Sequence, residues 1–402
     1  MSAPLDRIDD LLDEHVRRVA TRTTPIPTIA ARAKAVQTDA PDLVRADIGQ
    51  IVGVDPQTEV LYGPPVGLES LRAAIAELYT RSFSLDEALT GAHVTLCTGA
   101  AEALSLLFRC FAPGRRVGLP RGHWENYQNG VEMAGGETDV VDFFDPRGDL
   151  DIDGLRRAIR ERGLAALVAN FPCNPTGAVL SEAETRALAE LAIAEDVILI
   201  ADEVYARLRY DGAPPQTLLR YAPGHALSVG SASKEFLLPG ARVGYVVSAR
   251  ADVTDRVLRK LVRANSGSPN VLGQERLLPL IEAELQDLRA GRTPRLNEAI
   301  RHAMKARRDA LLEVLERHGM DSVGRAAHAP MGTIFLMARL PGWWREDDVT
   351  FVEAALDRRL ASAIPGSAFG LPGSLRFSFG ATDGDAIARL DRGLEAWRAE
   401  MA

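Results

Sequence analysis

The chain has 402 residues, 46% of them hydrophobic and 25% charged, enough for one large and one small core of ordinary globular composition. Its formal charge of -8 excludes the concentrated basic face of a nucleic-acid binder and directs attention to small molecules. Three cysteines without ligand spacing (Cys97, Cys110, Cys173), charges at Asp6, Arg7, Asp9 and Asp10, and the lack of any long apolar run predict a soluble, unprocessed, metal-free chain in a reducing cytoplasm, with no membrane segment.

Leu5, Ile8, Leu11, Leu12, Val16 and Val19 fall near helical spacing, so the chain opens with an amphipathic helix. Beyond Pro25 and Pro27 the pattern turns irregular, and residues 46–50 read as a short strand in which Gly49 marks a turn. Tyr62-Gly63-Pro64-Pro65-Val66-Gly67-Leu68 is a loop that leads into a helix carrying Leu71, Ile75 and Leu78. From residue 93 a unit of strand, glycine turn and helix repeats, the mark of a mostly parallel sheet flanked by helices. Residues 93–97 are a strand, and Thr98-Gly99-Ala100-Ala101-Glu102 opens a helix whose free N–H groups and small side chains suit an anion, although a glycine before a helix also serves packing. Residues 115–119 form the next strand, Gly122-His123-Trp124-Glu125-Asn126-Tyr127 starts the next helix, and 140–144 is again a strand. Trp124 is either a stacking plate for a flat ring or a core aromatic.

Residues 167–170 form an apolar strand that runs into Phe171-Pro172-Cys173-Asn174-Pro175-Thr176-Gly177. Residues 197–201 are wholly apolar, as a strand buried on both faces should be, and end in Asp202-Glu203-Val204-Tyr205. Open α/β sheets bind ligands at the carboxyl ends of such strands, and a carboxylate placed there needs a cationic or N–H partner, which a protonated pyridine nitrogen would supply. The stretch SASKEFLLPGARVGY, 231–245, sets Lys234 among hydroxyls. Ser231, Ser233 and Arg242 suit a phosphate and leave the lysine amine free for covalent work. The plainer alternative is a surface lysine on a turn between the strands 226–229 and 243–247. Two helical stripes follow, Leu277 to Leu288 and Leu296 to Leu315, parted near Gly291 and Pro294, and lead to a smaller unit with a helix at 352–360 and a strand at 375–379. Arg376 in that strand is either an exposed edge charge or a placed carboxylate binder.

In this order and over nearly the whole chain, TGAAEAL, NPTG, ADEVY, SASKEFLLPGARVGY and LRFSFG resemble the class I/II pyridoxal-phosphate aminotransferases of fold type I. The resemblance implies an α/β large domain at 51–290, a smaller α+β domain at 291–402, and an N-terminal segment, 1–50, packed with the small domain. It implies that Lys234 forms a Schiff base with pyridoxal 5'-phosphate, that Asp202 keeps the ring nitrogen protonated, and that Asn174 and Tyr205 bind the ring's 3-hydroxyl oxygen while Trp124 stacks on its face. Phosphate would be held by the backbone at Ala100 and Ala101, by Ser231, Ser233 and Arg242, and by Tyr62 from the second subunit of a homodimer. Arg376, with Gly49 close by, would hold the α-carboxylate of an amino acid or 2-oxo acid. The chain departs from the family's P-x-Y-x-x-Y pattern at Gly122-His123-Trp124-Glu125-Asn126-Tyr127, where His123 and Glu125 either face solvent or serve a specialised reaction. Transamination is the expected activity, and lyase, cyclase, decarboxylase and oxidase chemistries of the same fold, or a non-catalytic cofactor-binding regulator, are its alternatives.

Overall fold

The computed structural model describes residues 12–21, 35, 36, 38, 60–324 and 331–401. The predicted strand at 46–50, with Gly49, lies outside the described residues. The described chain begins with α1 (Glu14–Thr21) and α2 (Glu69–Ser82), then alternates through β1 (Val94–Cys97), α3 (Ala100–Phe111), β2 (Arg116–Pro120), α4 (Glu125–Met133), β3 (Glu137–Val141) and α5 (Ile152–Arg162). Next come β4 (Leu164–Asn170), α6 (Glu182–Glu195), β5 (Ile198–Asp202), β6 (Ala226–Ser231), the single-turn α7 (Ala232–Glu235) and β7 (Gly244–Val247). Helices α8 (Arg259–Asn265), α9 (Val271–Arg289) and α10 (Arg295–Arg317) lead to β8 (Ser322–Val323), β9 (Phe335–Arg339), α11 (Asp348–Asp357), β10 (Ile364–Pro365), β11 (Ser374–Ser378) and α12 (Gly384–Glu400).

The larger sheet has the order β1-β7-β6-β5-β4-β2-β3, and the smaller β10-β11-β9-β8. Every residue of β5, β6 and β7 is buried, which is why those strands read as continuous apolar runs rather than as alternating ones. Each buried Ile or Leu there contributes roughly 1.5–3 kcal/mol through removal from water. Helices α5 and α6 pack against each other and cover one face through Leu155, Ile159, Leu188 and Leu191. The α6 start is fixed by a capping box, in which Ser181 Oγ accepts from the Glu184 N–H at 3.2 Å and Glu184 Oε2 accepts from the Ser181 N–H at 2.8 Å. The second sheet is antiparallel throughout. Of the N-terminal segment, α1 meets the large-sheet layer, where the Asp13 N–H donates to the Cys110 carbonyl at 2.9 Å. Among the described residues no helix is long and apolar enough to cross a membrane.

Several boundaries differ from the sequence expectation; the strand expected from 167 begins at Leu164, and the helix expected at 352–360 lies at Asp348–Asp357. The strand expected at 140–144 lies at Glu137–Val141, because its parallel register with β2 runs from Arg116↔Glu137 to Pro120↔Val141 and ends there. Phe143 and Phe144 leave the ladder to pack edge-on against Phe171, with ring centroids 5.5 and 5.8 Å away. The helix expected from Gly122 starts at Glu125, since Gly122 has φ 78° and Trp124 is extended at the cap.

Strand β7 is pressed against the turn after β1. A Cβ at Gly244 would stand 2.2 Å from the Gly99 carbonyl carbon and 2.3 Å from the Ala100 nitrogen, backbone atoms that cannot swing aside. Gly244→Ala should therefore destabilise the protein by about 1–3 kcal/mol or more, read as a lower urea midpoint at unchanged slope.

Candidate active site

The parallel registers Asn170↔Asp202 and Asp202↔Val229 bring the ends of β4, β5 and β6 to one edge of the sheet, so Asn170, Asp202 and Ser231 become neighbours. Strand β7 runs the other way, with Gly244 opposite Ser231 on one side and Cys97 on the other. The residue that enters β7 from this edge is Arg242, and the turn that leaves β1 there is Thr98-Gly99, ahead of α3. One antiparallel strand among parallel ones thus gathers side chains far apart in sequence around a cavity of about 400 Å³.

One end of the cavity is built for an anion. Gly99 has φ 81°, and a Cβ on it would stand 2.4 Å from Arg242 Nη2, so the missing side chain is what lets the guanidinium lie against the start of α3. The first N–H groups of that helix have no partner within it. Ser231 Oγ accepts from the Ser233 N–H at 3.1 Å and stands 3.0 Å from Ser233 Oγ, which places both hydroxyls beside the same turn.

Asp202 is buried, and its hydrogen-bond partners are neutral: the Tyr127 hydroxyl donates to Oδ2 and the Val204 N–H to Oδ1 at 3.4 Å. Burial pushes its carboxyl up to about 6, with those two donors opposing. Asn170 braces the strand end, donating to the Asp202 carbonyl at 2.9 Å and accepting from the Asn174 N–H at 2.8 Å. Lys234 lies between the acid and the anion site, its Nζ 5.9 Å from the centre of the Tyr205 ring. Burial, and after it the guanidinium charges of Arg376 and Arg242, lower the pKa of its amine. Burial and then the Asp202 charge raise that of the Tyr205 hydroxyl, which stays a proton donor.

Arg376 is not an exposed edge charge: β11 is an inner strand, paired with β10 and β9, and the half-buried side chain enters the cavity. Nη1 donates to Asn174 Oδ1 at 3.1 Å, and the guanidinium carbon lies 4.3 and 4.8 Å from the Phe335 and Phe369 ring centres. Its Nε is buried without an acceptor among the described residues, and a buried donor of this kind calls for a partner.

Ala100, Ala101, Trp124, Asn174, Asp202 and Tyr205 line this cavity, as do Ser231, Ser233, Lys234, Arg242 and Arg376. Tyr62 is not among the lining residues and is exposed on the loop before α2, while Gly49 lies outside the described residues. Glu125 is exposed; His123 is half-buried, with Nδ1 3.0 Å from the Pro120 carbonyl oxygen. The sequence reading missed Tyr127, Asn170 and Phe335 as site residues. The first two carried signals: an aromatic three positions after Trp124, and a polar residue closing an apolar strand, as Asp202 does. The set suits a ligand with a dianion at one end, a ring nitrogen at the other and a carbonyl within reach of an amine between them.

The family "Aminotransferase class I and II" matches residues 30–391. An aspartate/prephenate aminotransferase of Thermus thermophilus is 32% identical over 384 residues, 94% of this chain and 93% of its own. An aspartate aminotransferase of Geobacillus stearothermophilus is 27% identical over 350 residues, 83% of this chain and 84% of its own. Among solved structures, the Thermus thermophilus aspartate aminotransferase with maleate matches at TM-score 0.74 and 28% identity, covering 100% of both chains. With a match over almost its full length, this chain belongs to the class I and II aminotransferases, fold type I enzymes that depend on pyridoxal 5'-phosphate.

Proposed function

We propose that this aminotransferase moves the amino group of an α-amino acid to a 2-oxo acid with Lys234 as the reacting amine. The observation that carries the reading is a single cavity holding a lysine whose proton is loosened together with, among the described residues, a buried carboxylate that no cation pairs and an arginine Nε that no acceptor meets. When bound, pyridoxal phosphate supplies an aldehyde that condenses with amines and a protonated ring nitrogen that draws electrons from the substrate α-carbon.

The protein's own groups divide the remaining work. The α3 N-terminus at Ala100 and Ala101, with Ser231, Ser233 and Arg242, holds the phosphate. Asp202 keeps the proton on the ring nitrogen, Trp124 covers a ring face, and Asn174 and Tyr205 bind the 3-hydroxyl oxygen. Arg376 holds the substrate α-carboxylate and orients the α-carbon toward Lys234 Nζ, which takes a proton from the α-carbon of the donor amino acid and, in the return half-reaction, gives one to the α-carbon of the acceptor 2-oxo acid. A relative named for aspartate supports an amino acid as donor.

Exposed Val60, Leu61, Tyr62 and Leu272 form an apolar edge beside Gly63, whose position packs on Val271; this supports a homodimer in which Tyr62 reaches the other subunit's phosphate. Three buried, unpaired cysteines fit a cytoplasmic location. A division into a large domain at 51–290 and a small one at 291–402 follows the break between α9 and α10.

Three outcomes follow from these assignments. Mixing the enzyme with its amino acid alone should convert the bound cofactor once, to the amine form, with a 2-oxo acid restoring the starting spectrum; sustained turnover without an oxo acid would favour a lyase. Arg376→Ala should lower kcat/KM for amino acids roughly ten- to a hundredfold, measured by steady-state kinetics, and spare simple amines.

Asp202→Asn should cut kcat by roughly a hundredfold or more. In the cofactor-free protein the same change should stabilise. The Asp202 carboxyl titrates near 6 when folded against an ordinary value of 3.8, so its contribution to stability is full below the unfolded value and is lost as pH rises through 6. The asparagine variant escapes that loss and should be up to about 3 kcal/mol the more stable at pH 8, the gain falling below about 1 kcal/mol at pH 4 and vanishing by about pH 3, by chemical denaturation.

A further inference from the structure

Beside Lys234 in the chain stands Glu235, a buried acid that the chemistry above does not use. It ends the four-residue α7, and so short a helix does not hold its shape unaided. Two residues on, Leu237 takes a left-handed φ of 55° although its side chain is exposed within this chain. Such a conformation persists only where the surroundings impose it.

The surroundings act through Glu235. Its Oε1 accepts from the Arg207 N–H at 3.0 Å, and its Oε2 stands 3.8 Å from Arg207 Nη1. Arg207 lies on the segment that leaves β5, two residues past Tyr205, and its Nη2 pairs with Glu284 of α9. Glu284 Oε1 accepts from the Asn297 N–H at 3.1 Å, and Asn297 Nδ2 donates to the Arg207 carbonyl at 3.2 Å. Arg207, Glu284 and Asn297 are all buried, and the guanidinium lies 5.6 Å from the Phe236 ring centre. The turn that carries Lys234 is therefore tied at its far side to the segment bearing Asp202 and Tyr205 and to the joint between α9 and α10.

We propose that Glu235, held by Arg207, is a positioning residue that fixes the reach of Lys234 Nζ toward the reacting atoms. The inference rests on Lys234 being the reacting amine. Because Arg207 faces two carboxylates, removal of Glu235 leaves its charge paired with Glu284 and does not strand a lone buried cation.

The test compares holoenzymes carrying Glu235→Ala and Glu235→Gln. In Glu235→Ala kcat should fall about ten- to a hundredfold. KM should stay within about twofold, since Arg376 and its two phenylalanines are untouched. Amide hydrogen exchange should quicken in the peptide spanning 231–238 and at the Arg207 amide that loses its acceptor, and not elsewhere. Glu235→Gln, which keeps an oxygen to accept the Arg207 N–H, should recover part of kcat. A lower Tm with kcat and exchange at 231–238 unchanged would mark a purely structural role and overturn the proposal. If Glu235→Ala does not fold, Glu235→Gln decides by the same readouts: a reduced kcat at unchanged KM supports the proposal, and wild-type kcat overturns it. Lys234→Ala separates the two levels. Covalent cofactor retained without Lys234 would overturn the parent reading, whereas a silent Glu235 with Lys234 essential overturns the positioning alone.

Discussion

A carboxylate buried without a cation is the constraint on which the rest of this structure depends. Asp202 closes a strand with every residue buried, and the only hydrogen-bond partners of its carboxylate among the described residues are a tyrosine hydroxyl and a backbone N–H. In that setting the charged form is costly, and the cost is removed when a protonated ring nitrogen stands against it. The same economy recurs at Arg376, whose buried Nε waits for an acceptor, and at Lys234, whose proton is loosened by burial and by neighbouring guanidiniums. Each group is poorly satisfied alone, and on the proposed assignment each would be satisfied by a particular part of cofactor or substrate.

Sheet topology turns these separate tensions into one site. Parallel β4, β5 and β6 deliver Asn170, Asp202 and Ser231 to a common edge, and antiparallel β7 returns Arg242 to it beside Gly99. Arg376 comes from a different sheet and is joined to the large one through Asn174, whose Oδ1 accepts its Nη1 N–H. Arg376 and Asp202 are therefore linked by a short run of amides, Asn174 to Asn170 to the Asp202 carbonyl.

Much of this was legible in the sequence because parallel strands advertise themselves. Continuous apolar runs ending in Asn170 and Asp202 locate the sheet edge without knowledge of the fold, and Lys234 with its hydroxyls and Arg242 announces an anion site. The packing beneath was not legible. Tyr127 meets Asp202 only because α4 begins after Trp124 rather than at Gly122, a boundary set by one glycine's conformation. Phe335 brackets Arg376 because β9 lies beside β11, a pairing that alternation alone does not specify. Glu235, Arg207 and Glu284 read as ordinary surface charges by composition, and only their mutual burial shows that they form one cluster under the lysine.

The central claim is that Lys234, one of only four lysines in the chain with Lys34, Lys260 and Lys305, is the amine that engages the cofactor. Borohydride reduction of the resting holoenzyme followed by peptide mass analysis tests it most directly. The account predicts one added cofactor per chain, on the peptide that contains Lys234. Attachment at Lys34, Lys260 or Lys305, or cofactor that washes away after reduction, would contradict it.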